Sequence, residues 1–144
     1  MRLFCFLMIT LSLGCLAGAS EESSLYQQNK VAIEKAAKIY LAFEARHEIG
    51  PGAAADLNLP EKAKFRTKKG GATLPWVYPV ALGLEVKIGD PQRRIVVLAP
   101  KATSGRYFVA TDDLVVQSFS KKDLQPIFDA LEKRRAKLQK APLD

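Results

Sequence analysis

The chain has 144 residues, with 22 basic against 15 acidic side chains and a net charge of +7. Its two cysteines, Cys5 and Cys15, both precede residue 20, and it has a single histidine, His47. Downstream of residue 20 this excludes a disulfide framework, a cysteine metal site and any histidine cluster. One domain held together by burial alone is expected.

Residues 1–19 read as a secretory signal. Arg2 precedes the uncharged apolar run Leu3–Leu13, small residues follow, and Ala17-Gly18-Ala19 fits an A-x-A cleavage site with the cut after Ala19. Lipid attachment at Cys15, behind Gly14, is the alternative, although Ser12 stands where an aliphatic residue is expected. The apolar part is shorter than the ~20 residues a spanning helix needs. Export to the periplasm or the extracellular space is therefore expected, with a single domain over residues 20–144. With Arg2 removed, 21 of the 22 basic residues face 15 acidic ones, a net +6.

The mature chain opens with a helix. Ser24 and Gln27 have capping-box spacing, and Leu25, Ala32, Ile33, Ala36, Tyr40 and Phe43 gather on one face at about 100° per residue. Gly50-Pro51-Gly52 supplies the stop. Residues 50–73 have the look of a poorly ordered basic loop or short edge strand, holding Lys62, Lys64, Arg66, Lys68 and Lys69 around the lone large apolar Phe65. Val80, Leu82, Leu84, Val86 and Ile88 then alternate with small or charged residues, predicting a half-buried strand. Gly89-Asp90-Pro91 turns the chain into Arg94–Leu98, a continuous apolar run that reads as a central strand. Strands over Arg106–Thr111 and Leu114–Phe119, joined by an Asp112-Asp113 turn, complete an antiparallel meander. The last helix carries Leu124, Ile127, Phe128, Leu131 and Leu138 on one face. Pro126 favours Asp123 over Ser120 as its N-cap, since a proline deep in the helix removes a hydrogen bond. The expected fold is α+β, with both helices packed on the one sheet face formed by Val80–Ile88.

No residue pattern assigns a reaction. His47, beside Tyr40 and Phe43 in helical spacing, suits a helix end better than a general base or a zinc ligand. Lys68-Lys69-Gly70-Gly71 reverses the glycine-then-lysine order of a phosphate-binding loop. Asp112-Asp113 is explained by turn preference without a cation. No metal or other cofactor is called for, and a carboxylate-dependent hydrolase stands last among the readings.

Binding is the better expectation. Trp76 and Tyr78, between Pro75 and Pro79, would either present an aromatic edge to a partner or cover the end of the core, and the second reading is preferred. A second basic cluster, Lys133, Arg134, Arg135 and Lys137, lies on the last helix. Together with Lys62–Lys69 it would form a surface for an anionic envelope polymer, acidic lipid headgroups or an exported protein. Nucleic acid fits less well, for want of a recognition motif and because of export. The leading expectation is an exported, non-catalytic binding module. The alternative is a small inhibitor or immunity-type protein acting on an exported enzyme through Trp76. The helix-then-meander order resembles the cystatin architecture over the middle of the chain, without that family's Q-x-V-x-G loop and with no counterpart for the last helix.

Overall fold

A computed structural model describes residues 2–46 and 57–140, with side chains from residue 23 onward. Cys15, Ala19, His47 and the Gly50–Gly52 stop therefore lie outside the described side chains. Two helices, a four-stranded antiparallel sheet and a two-stranded hairpin make the fold α+β.

Helix α1 (Arg2–Glu44) runs through Ser24 without a break, so Ser24 is not its N-cap. At the other end Arg46 N–H bonds the Phe43 carbonyl, a tightened last turn. The anticipated apolar face is the one that packs: Ala32, Ile33, Ala36, Ala37 and Tyr40 are fully covered. Asn29 interrupts this stripe and is also fully buried. Within residues 57–74 a 3-10 turn (Glu61–Ala63) leads into β1 (Phe65–Arg66), which pairs with β2 (Thr73–Leu74). Turn and hairpin pack on α1.

The half-buried strand expected over Val80–Ile88 is corrected. Pro79 starts a 3-10 turn at Val80–Leu82, and Gly83 closes it in the left-handed region at φ 77°. Only β3 (Lys87–Ile88) is strand, pairing with β4 (Arg93–Leu98). Upstream, Val77 exchanges both main-chain hydrogen bonds with Leu98, at 2.9 and 2.8 Å. The chain thus lies beside the two ends of β4 and leaves it in between. The alternation still sorted the side chains: Leu82, Leu84, Val86 and Ile88 all pack on the same apolar cluster, while Val80 joins the other.

β4, β5 (Tyr107–Thr111) and β6 (Val116–Phe119) continue the meander in the order β3-β4-β5-β6. Between Ile95 and Val97 the register with β5 slips, since Ile95 faces Thr111 while Val97 faces Ala110. This bulge puts the neighbours Val96 and Val97 on one side of the sheet. Ile95, Leu98 and Val109 point to the other.

The expectation that both helices share one sheet face is also corrected. Val96, Val97, Ala99, Phe108 and Ala110 meet α1, whereas Ile95, Leu98 and Val109 meet Leu124, Ile127 and Leu131 of α2 (Lys121–Lys140). The molecule is layered helix, sheet, helix. A strand that is apolar on both faces, as Ile95–Ala99 is, must be covered twice. The N-cap of α2 is Ser120 rather than Asp123. Asp123 N–H donates to Ser120 Oγ at 3.2 Å, and the Ser120 hydroxyl donates to Asp123 Oδ2 at 2.7 Å. Pro126 is tolerated inside the helix because it and Lys122, whose carbonyl loses its helical partner, are both exposed to water.

Candidate functional site

Trp76 is 5 % exposed, donates Nε1–H to the Ala63 carbonyl at 2.7 Å, and meets Phe65 edge-on at 5.3 Å. Tyr78 stacks on Tyr40 at 5.0 Å, and burial pushes its phenol up to about 12. The pair covers the core, with only a small part of each side chain left exposed. Trp76 and Tyr78 still line one wall of an open cleft of about 360 Å³, together with Leu59, Lys64 and Leu74.

The hairpin cations are partly spent within the fold. Lys64 Nζ and Arg66 Nη2 grip the two oxygens of Glu61 at 2.7 and 2.9 Å, and Arg66 Nη1 donates to the Gly71 carbonyl. The Lys64 hydrogen bond is the main reason the Glu61 carboxyl titrates below its usual range. Lys62, Lys68 and Lys69 are exposed and form no ion pair among the described residues. On α2, Lys133, Arg135 and Lys137 are exposed, while half-buried Arg134 turns back to donate Nε–H to the Leu82 carbonyl at 2.7 Å. The hairpin belongs to the α1 layer and the second cluster to the α2 layer.

Beside α2 lies an open groove of about 330 Å³. Val77, Leu98, Tyr107, Phe128 and Leu131 form its apolar part, with the Tyr107 and Phe128 rings edge-on at 5.0 Å. Lys121 and Arg135 supply cations at its rim, accompanied by Gln125 and Glu132. This arrangement can hold a negatively charged group against a partly apolar surface.

Carboxylates elsewhere are drawn into the scaffold. Arg94 forks onto Glu44 at 2.7 and 3.3 Å and reaches Asp112 at 3.6 Å, tying the end of α1 to β4 and to the β5–β6 turn. Asp113 accepts the Thr111 hydroxyl and pairs with Arg93 at 2.8 Å. The Thr111 hydrogen bond leads the causes that hold its carboxyl low. Among the described residues no group of three or more His, Cys, Asp or Glu side chains could hold a metal ion.

The roles of two residues that organise these surfaces escaped the sequence reading, Arg134 having been counted only within the basic cluster. Asn29 acts as an amide clip on β1: Oδ1 accepts Arg66 N–H at 3.0 Å, and Nδ2 donates to the Arg66 carbonyl at 2.9 Å and to Thr103 Oγ1 at 3.1 Å. A polar residue one turn before Ile33, inside an apolar stripe, was its only signal. Arg134 had none, because its carbonyl partner lies 52 residues away.

Comparison with protein-family models, with curated proteins and with solved structures finds no match. The expected resemblance to the cystatin architecture finds no support in them and carries no functional residue to this chain.

Proposed function

We propose that this is an exported, non-catalytic binding module whose α2 face takes an anionic partner. The supporting observation is that Lys121, Lys122, Lys133, Arg135, Lys137 and Lys140 are all exposed and form no ion pair among the described residues. Cations in the last turn favour the helix dipole, so Lys137 and Lys140 have a local reason to be there. Lys121 and Lys122 have the opposite sign for a first turn, where positive charge costs about 0.3–1 kcal/mol each. Helix stability does not account for them. Recognition of negative charge does, and the groove at Lys121 and Arg135 adds apolar contact to the attraction. An inhibitor acting through Trp76 has less support, because the indole is covered and its N–H is taken.

The test is binding of the mature protein to phosphatidylglycerol vesicles and to soluble polyglutamate, with phosphatidylcholine vesicles as the neutral control. Binding should weaken steadily as salt rises. The double variant Arg135→Glu/Lys137→Glu should lower affinity at least about tenfold, since each cation near an anionic surface contributes about 1 kcal/mol. Binding indifferent to both salt and charge reversal, or equal on neutral vesicles, would remove the proposal.

A further inference from the structure

We propose that the open edge of β6 docks an extended acidic segment of a partner polypeptide, added to the sheet as an extra strand beside α1. This surface is separate from the α2 face and does not depend on the reading above.

Among the described residues β6 has one strand neighbour, β5, and its other side is a sheet edge. The direction of its main-chain groups follows from the register. Thr111 N–H bonds the Val115 carbonyl at 3.1 Å, so alternation along the ladder makes Val109–Gln117 and Tyr107–Phe119 the mutually bonded pairs. Val116 and Ser118 must then turn their N–H and C=O groups away from β5. Two contacts agree with this. Phe108, opposite Ser118, gives its carbonyl to Ala99 of the other neighbour, and the Ser118 carbonyl is reached by Arg106 Nη2 at 2.7 Å. Arg106 therefore closes one acceptor, leaving Val116 N–H, Val116 C=O and Ser118 N–H facing outward.

Sheet edges are commonly blunted by charge or proline. Val116-Gln117-Ser118-Phe119 contains neither, whereas the opposite edge is two residues long and carries exposed Lys87. The edge is also furnished with a helix. Tyr26 and Lys30 of α1 and Val116 and Ser118 of β6 line a groove of about 360 Å³. An added strand would place alternate side chains there, and addition of an extended peptide to an exposed sheet edge is a recurrent mode of recognition. Half-buried Tyr26, its ring 4.7 Å from the buried Phe108 ring, offers an apolar seat. Lys30 is exposed without an ion pair among the described residues, which selects Asp or Glu nearby. A second copy of this chain fits poorly, because it would bring a second Lys30 and Arg106, and with them like charge, to the same edge.

The experiment selects random linear peptides from a display library against the mature protein, then maps the enriched peptides by amide hydrogen exchange. The expected result is enrichment of acidic sequences with an apolar neighbour, and at least about tenfold slower exchange at Val116 and Ser118 when they bind. Val116→Pro removes an outward N–H at an edge position where proline is tolerated. It should lower peptide affinity about tenfold or more, while vesicle binding through α2 is unchanged. Arg106→Ala should raise affinity several-fold by freeing the Ser118 carbonyl. No enrichment, or peptides that bind Val116→Pro equally well and leave both amides unprotected, would overturn the proposal. So would protection that appears without peptide as protein concentration rises, since that identifies self-association. If Val116→Pro does not fold, the exchange of the unaltered chain decides alone.

Discussion

Replacing Asn29 with alanine tests the contact that joins α1, the hairpin and the Thr103 turn. Three hydrogen bonds are lost at once, from a side chain with no exposed surface. Thr103 is itself buried, so its hydroxyl is left without this donor in a place water does not reach. At about 1 kcal/mol net per bond, and more where a buried partner stays unsatisfied, the cost is about 3–5 kcal/mol. A domain of this size has about 5–15 kcal/mol in total, so the variant should be folded but visibly weakened. For about 120 residues, 1 kcal/mol shifts Tm by roughly 4 °C, which gives a fall of roughly 12–20 °C. Urea unfolding can be followed by the fluorescence of Trp76, whose indole bonds Ala63 immediately before the clipped hairpin, and by far-ultraviolet circular dichroism. The two probes should give one transition. Asn29→Asp should also be weaker than the parent, because a carboxylate retains the acceptor for Arg66 N–H but loses both donated bonds. A loss under about 1 kcal/mol for Asn29→Ala would refute the reasoning, by showing that the clip adds nothing beyond side-chain shape.

Gly83→Ala should destabilise by about 1–2 kcal/mol, because the residue sits at φ 77° and ends the 3-10 turn. The new methyl would also lie 2.8 Å from Arg134 Nη2, so the Arg134 bond to Leu82 should loosen with it; chemical denaturation reads the sum. At alkaline pH the sign follows from the two stacked tyrosines. Burial raises the phenol of Tyr78 from 10.0 to about 12, and burial, followed by the charge of Glu44, raises Tyr40 further. A raised folded-state value means that stability is fully present below pH 10 and is lost as pH climbs through 12. In an absorbance titration, part of the phenolate signal should appear only together with unfolding. Complete ionisation of all tyrosines near pH 10, with the fold intact, would contradict the burial.

What could be read ahead of the fold was whatever depends on local periodicity. The stripe from Ala32 to Tyr40 marked the buried face of α1, and the alternation from Leu82 to Ile88 marked one cluster. It could not mark a strand, since a 3-10 turn followed by extended chain can present the same side chains as a continuous β-strand. Ser120 and Asp123 were legible as a capping box. Pro126 obscured it, because whether a lost helical hydrogen bond is harmful depends on exposure, which the sequence does not state. The candidate surfaces were legible only as lists of basic residues. Glu61 neutralises two of the hairpin cations, and Arg134 is diverted to a carbonyl.

Composition and pattern alone determined a basic, cysteine-poor α+β chain with one amphipathic helix at each end of a meander. Those properties are set by each residue's own preference and by neighbours a few positions away. The side of the sheet each helix takes, the burial of Trp76, the clip at Asn29 and the open edge of β6 were decided only by tertiary structure. Each of these depends on which distant groups arrive at the same place: a one-residue bulge between Ile95 and Val97 re-aims the side chains of the central strand, and main-chain partners 37 and 52 residues away fix Asn29 and Arg134.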